Sequence, residues 1–90
     1  MQEISNDGNF FVLAVENYKN GKYEESIEAF NKSLALHKNW QSYQGLGWAL
    51  SNMQQFQPAI KAFIQSLVLN EDWNSYQGLG WALYNTQQFQ

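Results

Sequence analysis

Residues 40–57 read WQSYQGLGWALSNMQQFQ, and residues 73–90 read WNSYQGLGWALYNTQQFQ. The two stretches are identical at 15 of 18 positions and begin 33 residues apart. A more divergent first copy keeps the same period, because Phe30 aligns with Phe63. A period in the low thirties is typical of stacked units that each contain one supersecondary motif. The sequence therefore predicts a short repeat array.

Each unit contains two helical patterns, in which apolar residues recur at spacings of three and four. In the second unit these two sets are Tyr43, Leu46, Gly47 and Leu50, then Phe56, Ile60, Phe63 and Leu67. Pro58 falls in the first turn of a helix, where its missing N–H costs nothing. Gly21, between two helical patterns, suits a left-handed helix terminus. The predicted helices span about 8–20, 23–37, 40–53, 56–70 and 73–86.

Four glycines lie in the middle of predicted helices, at positions 45, 47, 78 and 80. Glycine inside a helix costs about 1 kcal/mol relative to alanine. We therefore expect the backbone of a neighbouring helix to pack where a side chain would block it. A phosphate-binding glycine loop is a poor alternative, because the sequence has no third glycine, no preceding strand and no adjacent lysine.

These motifs resemble the tetratricopeptide repeat family, whose units carry an aromatic residue, Leu-Gly and a later Ala-x3-Phe. The second unit has Tyr43-x2-Leu46-Gly47-x2-Leu50 and Ala59-x3-Phe63, and the third has Tyr76-x2-Leu79-Gly80-x2-Leu83. The period is 33 instead of 34, and the family's proline between units is absent. Ankyrin repeats share the 33-residue period, but their Thr-Pro-Leu-His signature is missing.

The resemblance implies an all-α fold, with antiparallel helix pairs stacked into a short right-handed solenoid of about two and a half units. We expect an N-terminal polar segment at 1–7 and an array at 8–90. Its units are 8–39, 40–72 and a truncated third at 73–90. Trp40 and Trp73 are expected to pack at unit junctions. The expected core comprises Leu13, Ile27, Phe30, Leu46, Leu50, Phe56, Ile60, Phe63 and Leu79.

Composition narrows the range of functions. The formal charge of −3 and the absence of arginine argue against nucleic acid as a partner. No apolar stretch approaches the roughly 20 residues that span a bilayer, and residues 1–9 lack the pattern of a signal peptide. A chain without cysteine suits a reducing compartment. We therefore expect a cytoplasmic protein with no membrane partner.

The sequence contains few side chains of the types that carry out catalysis. His37 is the only histidine and cysteine is absent, so neither a Ser/His/Asp nor a Cys/His set can form. The acidic residues near helix starts suit the helix dipole. No cluster of metal ligands is evident. We expect a protein that is not an enzyme and that uses no metal or cofactor.

The resemblance also implies a concave groove, lined by the first helix of each unit, in which a peptide lies. When the first helix of each unit is projected at 100° per residue, one face lies opposite the core face, and on the last helix this face includes Asn74. From it we predict the partner-binding residues Phe11, Val15, Tyr18, Gln44, Trp48, Asn52, Gln77, Trp81, Tyr84 and Asn85. Trp48 and Trp81 either anchor a partner or pack on neighbouring helices.

The predicted groove favours a neutral or apolar peptide or partner surface. Family members that grip a carboxylate tail use lysine and asparagine at positions occupied here by Phe11, Val15, Gln44 and Trp48. Two alternatives remain open. In the first alternative, the chain drives assembly of a homo-oligomer through its uncharged C-terminal helix, around Tyr76, Leu83 and Tyr84. In the second alternative, the chain is the N-terminal regulatory part of a larger enzyme.

Overall fold

Five helices follow one another in a computed structural model, which describes the backbone of residues 6–88 and the side chains of residues 10–87. Consecutive helices pack together, α1 also contacts α3, and α3 contacts α5. No strand occurs within residues 6–88. The architecture is the expected all-α stack of helical repeats. The helices are α1 (Asn6–Lys19), α2 (Tyr23–Leu36), α3 (Trp40–Asn52), α4 (Phe56–Leu69) and α5 (Trp73–Gln88).

The helix boundaries agree with the predicted ones to within two residues. The largest differences are at the two ends of the array, where α1 begins at Asn6 and α5 ends at Gln88. The first two residues of α1 therefore belong to the segment that was expected to precede the array. Residues 1–5 of that segment lie outside the described residues.

The first helices of the first two units, α1 and α3, end in the same way. Gly21 has a φ of +78°, and its amide donates to the Tyr18 carbonyl at 3.0 Å. Gln54, 33 residues later, has a φ of +61° and donates to the Ser51 carbonyl at 2.9 Å. A left-handed residue of this kind terminates a helix by satisfying its last carbonyls. The prediction for Gly21 is confirmed. The equivalent left-handed residue at position 54 was not predicted, because it is a glutamine and not a glycine.

The buried core contains four of the nine predicted residues. Phe30, Leu46, Leu50 and Phe63 are buried. The prediction did not include the small residues of the core, chiefly alanines. Four predicted residues are partly buried against the core, namely Ile27, Phe56, Ile60 and Leu79. The buried cluster is Ala14, Ala29, Phe30, Leu46, Leu50, Ala59, Ala62, Phe63 and Ala82.

The prediction was wrong for Leu13, which is 50% exposed beside the fully buried Ala14. Leu46 occupies the equivalent position in α3 and is buried. The difference follows from the neighbours: α3 packs against a preceding helix, α2, whereas the described helices that α1 contacts, α2 and α3, both follow it.

Trp73 is a second correction, because it was expected at a packed unit junction and is 77% exposed. Its equivalent Trp40 is half-buried at the start of α3. Helix α3 lies between α2 and α4, whereas α5 packs on α4 and, less extensively, on α3. The two tryptophans therefore differ in burial although they occupy equivalent positions of the repeat.

Glycine contacts with phenylalanine rings join the units. The ring of Phe63 lies against Gly47 of its own unit and Gly78 of the next. A Cβ added to Gly47 would lie 2.8 Å from this ring, and one added to Gly78 would overlap it. Gly45 meets Phe30 in the same way. Close approach is confirmed at these three glycines, but the approaching group is an aromatic ring and not a helix backbone.

Gly80 departs from this pattern. It is equivalent to Gly47, yet a Cβ added to it would have no atom within 4 Å among its non-local neighbours. The explanation by close approach within the chain is therefore wrong for Gly80, since no helix of the described residues covers that side of α5.

Two buried serine pairs repeat with the same period. The hydroxyls of Ser33 and Ser42 are 3.1 Å apart, and those of Ser66 and Ser75 are 3.0 Å apart. Each pair joins the second helix of one unit to the first helix of the next. Since a buried hydroxyl without a partner is costly, each pair favours one register between units.

Alanine substitutions at the two glycines of α5 should have opposite effects. Gly80→Ala should raise the free energy of unfolding by about 0.5–1 kcal/mol, because alanine is the better helix former. Gly78→Ala should lower it by about 1–3 kcal/mol, because its Cβ displaces the Phe63 ring. Urea unfolding followed by circular dichroism at low protein concentration measures both. Equal effects would contradict the packing described for Phe63.

Candidate functional site

An open pocket of about 430 Å³ lies along the first helices α1, α3 and α5. Four of the predicted binding residues line it, and its lining carries no formal charge. The helix projection also placed Asn74 on this face. The pocket, named below the α1–α3–α5 pocket, is lined by Val15, Tyr18, Phe30, Gln44, Gly45, Trp48 and Asn74.

Trp48 forms one wall and is held by two contacts. Its ring meets Phe63 edge to face, with centroids 5.4 Å apart and an interplanar angle of 80°. Its indole N–H donates to Asn74 Oδ1 at 2.7 Å. Trp48 therefore packs on α4 while lining the pocket, so the two roles considered for it are compatible.

Gln44 ties α3 to the start of α5. Its Nε2 donates to Asp72 Oδ2 at 2.8 Å and to Ser75 Oγ at 2.9 Å. The same Asp72 oxygen accepts a hydrogen bond from the backbone N–H of Asn74 at 3.0 Å, which stabilises the first turn of α5. With both amide protons of Gln44 engaged, its Oε1 is the atom that can accept a hydrogen bond from a ligand.

Tyr18 stands on the opposite wall, on α1. Its hydroxyl accepts from Asn52 Nδ2 at 3.1 Å, and its ring meets Tyr23 edge to face at 5.4 Å. Burial raises the pKa of Tyr18 above its ordinary value, Tyr23 raises it further, and the Asn52 hydrogen bond lowers it. The hydroxyl is therefore neutral at physiological pH, with its proton free to be donated. Asn52, another predicted residue, thus contributes to the site by positioning Tyr18.

Phe11 lies apart from these residues. Its ring packs against Phe30 edge to face at 6.1 Å. It lines a smaller pocket of about 280 Å³ on α1, which shares only Val15 with the α1–α3–α5 pocket and includes Glu16 and Lys19. Phe11 therefore supports the pocket through Phe30 without lining it.

The four predicted residues on α5 do not line the α1–α3–α5 pocket. Trp81 is 51% exposed, and its ring stacks on Tyr84 with centroids 6.5 Å apart. Asn85 donates to the Trp81 carbonyl at 2.8 Å, and Gln77 is exposed. Trp81 is equivalent to Trp48, but among the described residues no ring takes the place that Phe63 has beside Trp48. These residues form a second aromatic surface along the same helix.

Apart from Asn74, which had been placed on the same helix face, the predicted site lacked two residues of the pocket, Phe30 and Gly45. Together they form its floor, since the ring of Phe30 lies against the Gly45 backbone. Both had been recognised, one as core and the other as a close-approach glycine. The position of the Phe30 ring could have assigned both residues to the site. This ring packs on the first helix α3, so it borders the groove between α1 and α3.

The described residues restrict the chemistry of the site. Within residues 6–88, no group of three or more histidine, cysteine, aspartate or glutamate side chains could hold a metal ion. In the same part of the chain, no helix combines the length and apolarity needed to cross a membrane. The α1–α3–α5 pocket provides aromatic surface, amides and a phenol, which suit recognition by contact and hydrogen bonding.

Comparison with known proteins gives a family match. The family model described as tetratricopeptide repeat matches residues 9–39 and 41–72, which together are more than half of the chain. A comparison with curated proteins finds no match.

The raised pKa of Tyr18 predicts a dependence of stability on pH. The folded chain holds this proton more tightly than the unfolded chain, so stability is unaffected below about pH 10 and falls as the pH rises further. Tyr18→Phe should reduce that fall, because the variant has no ionisable hydroxyl at this position. Urea unfolding at several pH values between about 8 and 11 measures the slopes. A Tyr18→Phe variant with an unchanged slope would contradict the prediction.

Proposed function

The chain belongs to the tetratricopeptide repeat family, whose repeats generally serve as non-catalytic scaffolds for protein–protein interaction, and we propose that its α1–α3–α5 pocket binds a neutral or apolar peptide. The observation that carries the proposal is the pairing of two aromatic walls with uncharged hydrogen-bonding groups. Tyr18 and Trp48 supply the walls on α1 and α3. Aromatic side chains of this kind are enriched among residues that dominate binding energy.

Hydrogen bonding in the pocket suits a peptide backbone. Gln44 Oε1 is available as an acceptor, because the Nε2 of this amide is bound to Asp72 and Ser75. Asn74 accepts from Trp48 through Oδ1, which leaves its Nδ2 as a donor. One acceptor and one donor on neighbouring helices can pair with the N–H and C=O of an extended chain.

The charges favour a neutral partner over an acidic one. None of the residues that line the pocket is a lysine, arginine or histidine. Lys19, which follows Tyr18 on α1, lines the smaller pocket and not this one. A peptide carboxylate in the α1–α3–α5 pocket would lose water without gaining an ion pair, which is unfavourable.

A display library of random twelve-residue peptides, panned against the purified chain, tests this function. We expect the selected peptides to be uncharged and rich in apolar residues. Val15→Glu should raise their Kd at least tenfold, because it places a carboxylate in the apolar pocket. Isothermal titration calorimetry with one selected peptide measures the effect.

Val12→Glu is the matched control, because Val12 lies on the same helix, is exposed and does not line this pocket. It should change the Kd less than twofold, and circular dichroism should show equal helicity in both variants. Selected peptides that bind both variants alike, or that are mostly acidic, would rule out this pocket as the proposed site.

A second candidate function is self-association through α5. The observation that favours it is a set of exposed large side chains on a helix without formal charge. Solvated helix faces normally carry charge, and an apolar face of this kind marks an interaction surface. The set, together with Gly80, is named below the Gly80 face and consists of Trp73, Tyr76, Gly80, Leu83 and Tyr84.

Analytical ultracentrifugation tests self-association. The native chain should form a concentration-dependent dimer in the micromolar range, and Leu83→Glu should shift it to monomer by placing a charge in the contact. Leu69→Glu, at an equally exposed leucine of α4, is the matched control and should leave the dimer intact. A native chain that stays monomeric at about 100 μM, roughly −5.5 kcal/mol in association free energy, would exclude this function.

A further inference from the structure

The Gly80 face has a buried counterpart within the same chain. Gly47 and Leu50 of α3 are equivalent to Gly80 and Leu83 of α5. In α3 these positions lie under α4: Leu50 is 7% exposed and Gly47 lies against the Phe63 ring. In α5 the same residues are open, since Leu83 is 47% exposed and the space beside Gly80 is empty to 4 Å. Helix α5 therefore presents a helix-packing face to which no helix of the described residues is bound.

We propose that a second copy of the chain covers this face, with the two α5 helices antiparallel about a two-fold axis that passes beside Gly80. The inference rests on the proposed self-association through α5 and adds its orientation and register. A contact of this kind is isologous, because each copy contributes the same surface.

The order of residues along α5 is what selects this register. Tyr76 lies four residues before Gly80 and Tyr84 lies four residues after it, and both rings are exposed. In an antiparallel pair centred on Gly80, Tyr76 of each copy faces Tyr84 of the other. Glycine at the centre lets the two backbones approach closely, as Gly47 and Gly78 do towards the Phe63 ring. Two aromatic pairs then flank one close contact.

The absence of charge on α5 also favours a second copy. In a two-fold contact, a charge near the axis meets its own copy, and the pair repels. Residues 73–88 carry no formal charge, so this pairing has no such penalty. Helix α2, by contrast, carries Glu24, Glu25 and Glu28 near its start.

The proposed contact leaves the peptide pocket open. Gly80 lies six positions after Asn74, which places the two residues about 120° apart around the helix axis. The pocket side of α5 and the Gly80 face are therefore different sides of the helix. Failure of one proposal can be recognised while the other still holds.

Disulfide cross-linking tests the register directly, since the native chain has no cysteine. Gly80→Cys should give a covalent dimer under mild oxidation, because residue 80 faces itself across the axis. Tyr76→Cys alone and Tyr84→Cys alone should not, because their copies lie about 12 Å apart along the pair, beyond the ~7 Å Cα limit of a disulfide. A mixture of these two variants should give a mixed dimer. Non-reducing electrophoresis and mass spectrometry identify the products.

Each alternative arrangement gives a different result. Self-cross-linking of both Tyr76→Cys and Tyr84→Cys would mean parallel helices and would overturn the inference. A native dimer whose variants lack the expected pattern would overturn the register while self-association stands. A native chain that is monomeric in the ultracentrifuge would overturn both, and peptide binding in the α1–α3–α5 pocket is measured independently of either.

A charge exchange at the same position provides a second test. Gly80→Glu and Gly80→Lys should each be monomeric, because equal charges meet at the axis, and both should keep their helicity, because the added side chain points into open space. Mixing the two should restore association to within about tenfold of the native Kd, equivalent to about 1.4 kcal/mol. A mixture that stays monomeric while each variant is folded would overturn the inference.

Discussion

The structure depends on the fit between a phenylalanine ring and the bare backbone of a glycine. The ring of Phe63 is fully buried and touches glycines of two successive units, so one side chain sets both the α3–α4 and the α4–α5 spacing. Burial of such a ring removes a large apolar area from water, which offsets the cost of glycine within a helix. Phe30 and Gly45 repeat the fit one unit earlier and also form the floor of the pocket. Stacking and recognition thus share the same contact.

Polar contacts add direction to this apolar stacking. The serine pairs lie inside the stack, whereas Gln44 and Trp48 reach across to the start of α5 at its surface. The surface bonds hold the Trp48 wall and the Gln44 amide in place, and they leave Gln44 Oε1 and Asn74 Nδ2 for a ligand. A site built from side chains already fixed by neighbouring units loses little conformational freedom on binding.

The helices, their bounds and the large core residues could be predicted, because spacing and propensity are local properties of the sequence. Projection around a helix axis was enough to bring Val15, Tyr18, Gln44 and Trp48 to one face. Exposure at the ends of the array could not be predicted in this way. Leu13 and Leu46 are the same residue type at the same point of the repeat, but among the described helices a preceding helix packs only on the helix that contains Leu46. Gln54 was missed for another reason, since a left-handed turn at a glutamine has no signal in residue type.

The near duplication of α3 and α5 has a consequence for how the chain reaches this structure. Helix α4 packs on both, and the stretches that contain them are identical at 15 of 18 positions. During folding, α4 therefore meets two almost equivalent partners, each joined to it by a three-residue connection. Such near-degenerate pairings roughen an energy landscape, and in repeat proteins they lead to exchange of elements between chains. The turn at Gln54 belongs to the α3–α4 pairing and the Ser66–Ser75 pair belongs to the α4–α5 pairing, so these polar contacts favour the native arrangement of the two partners.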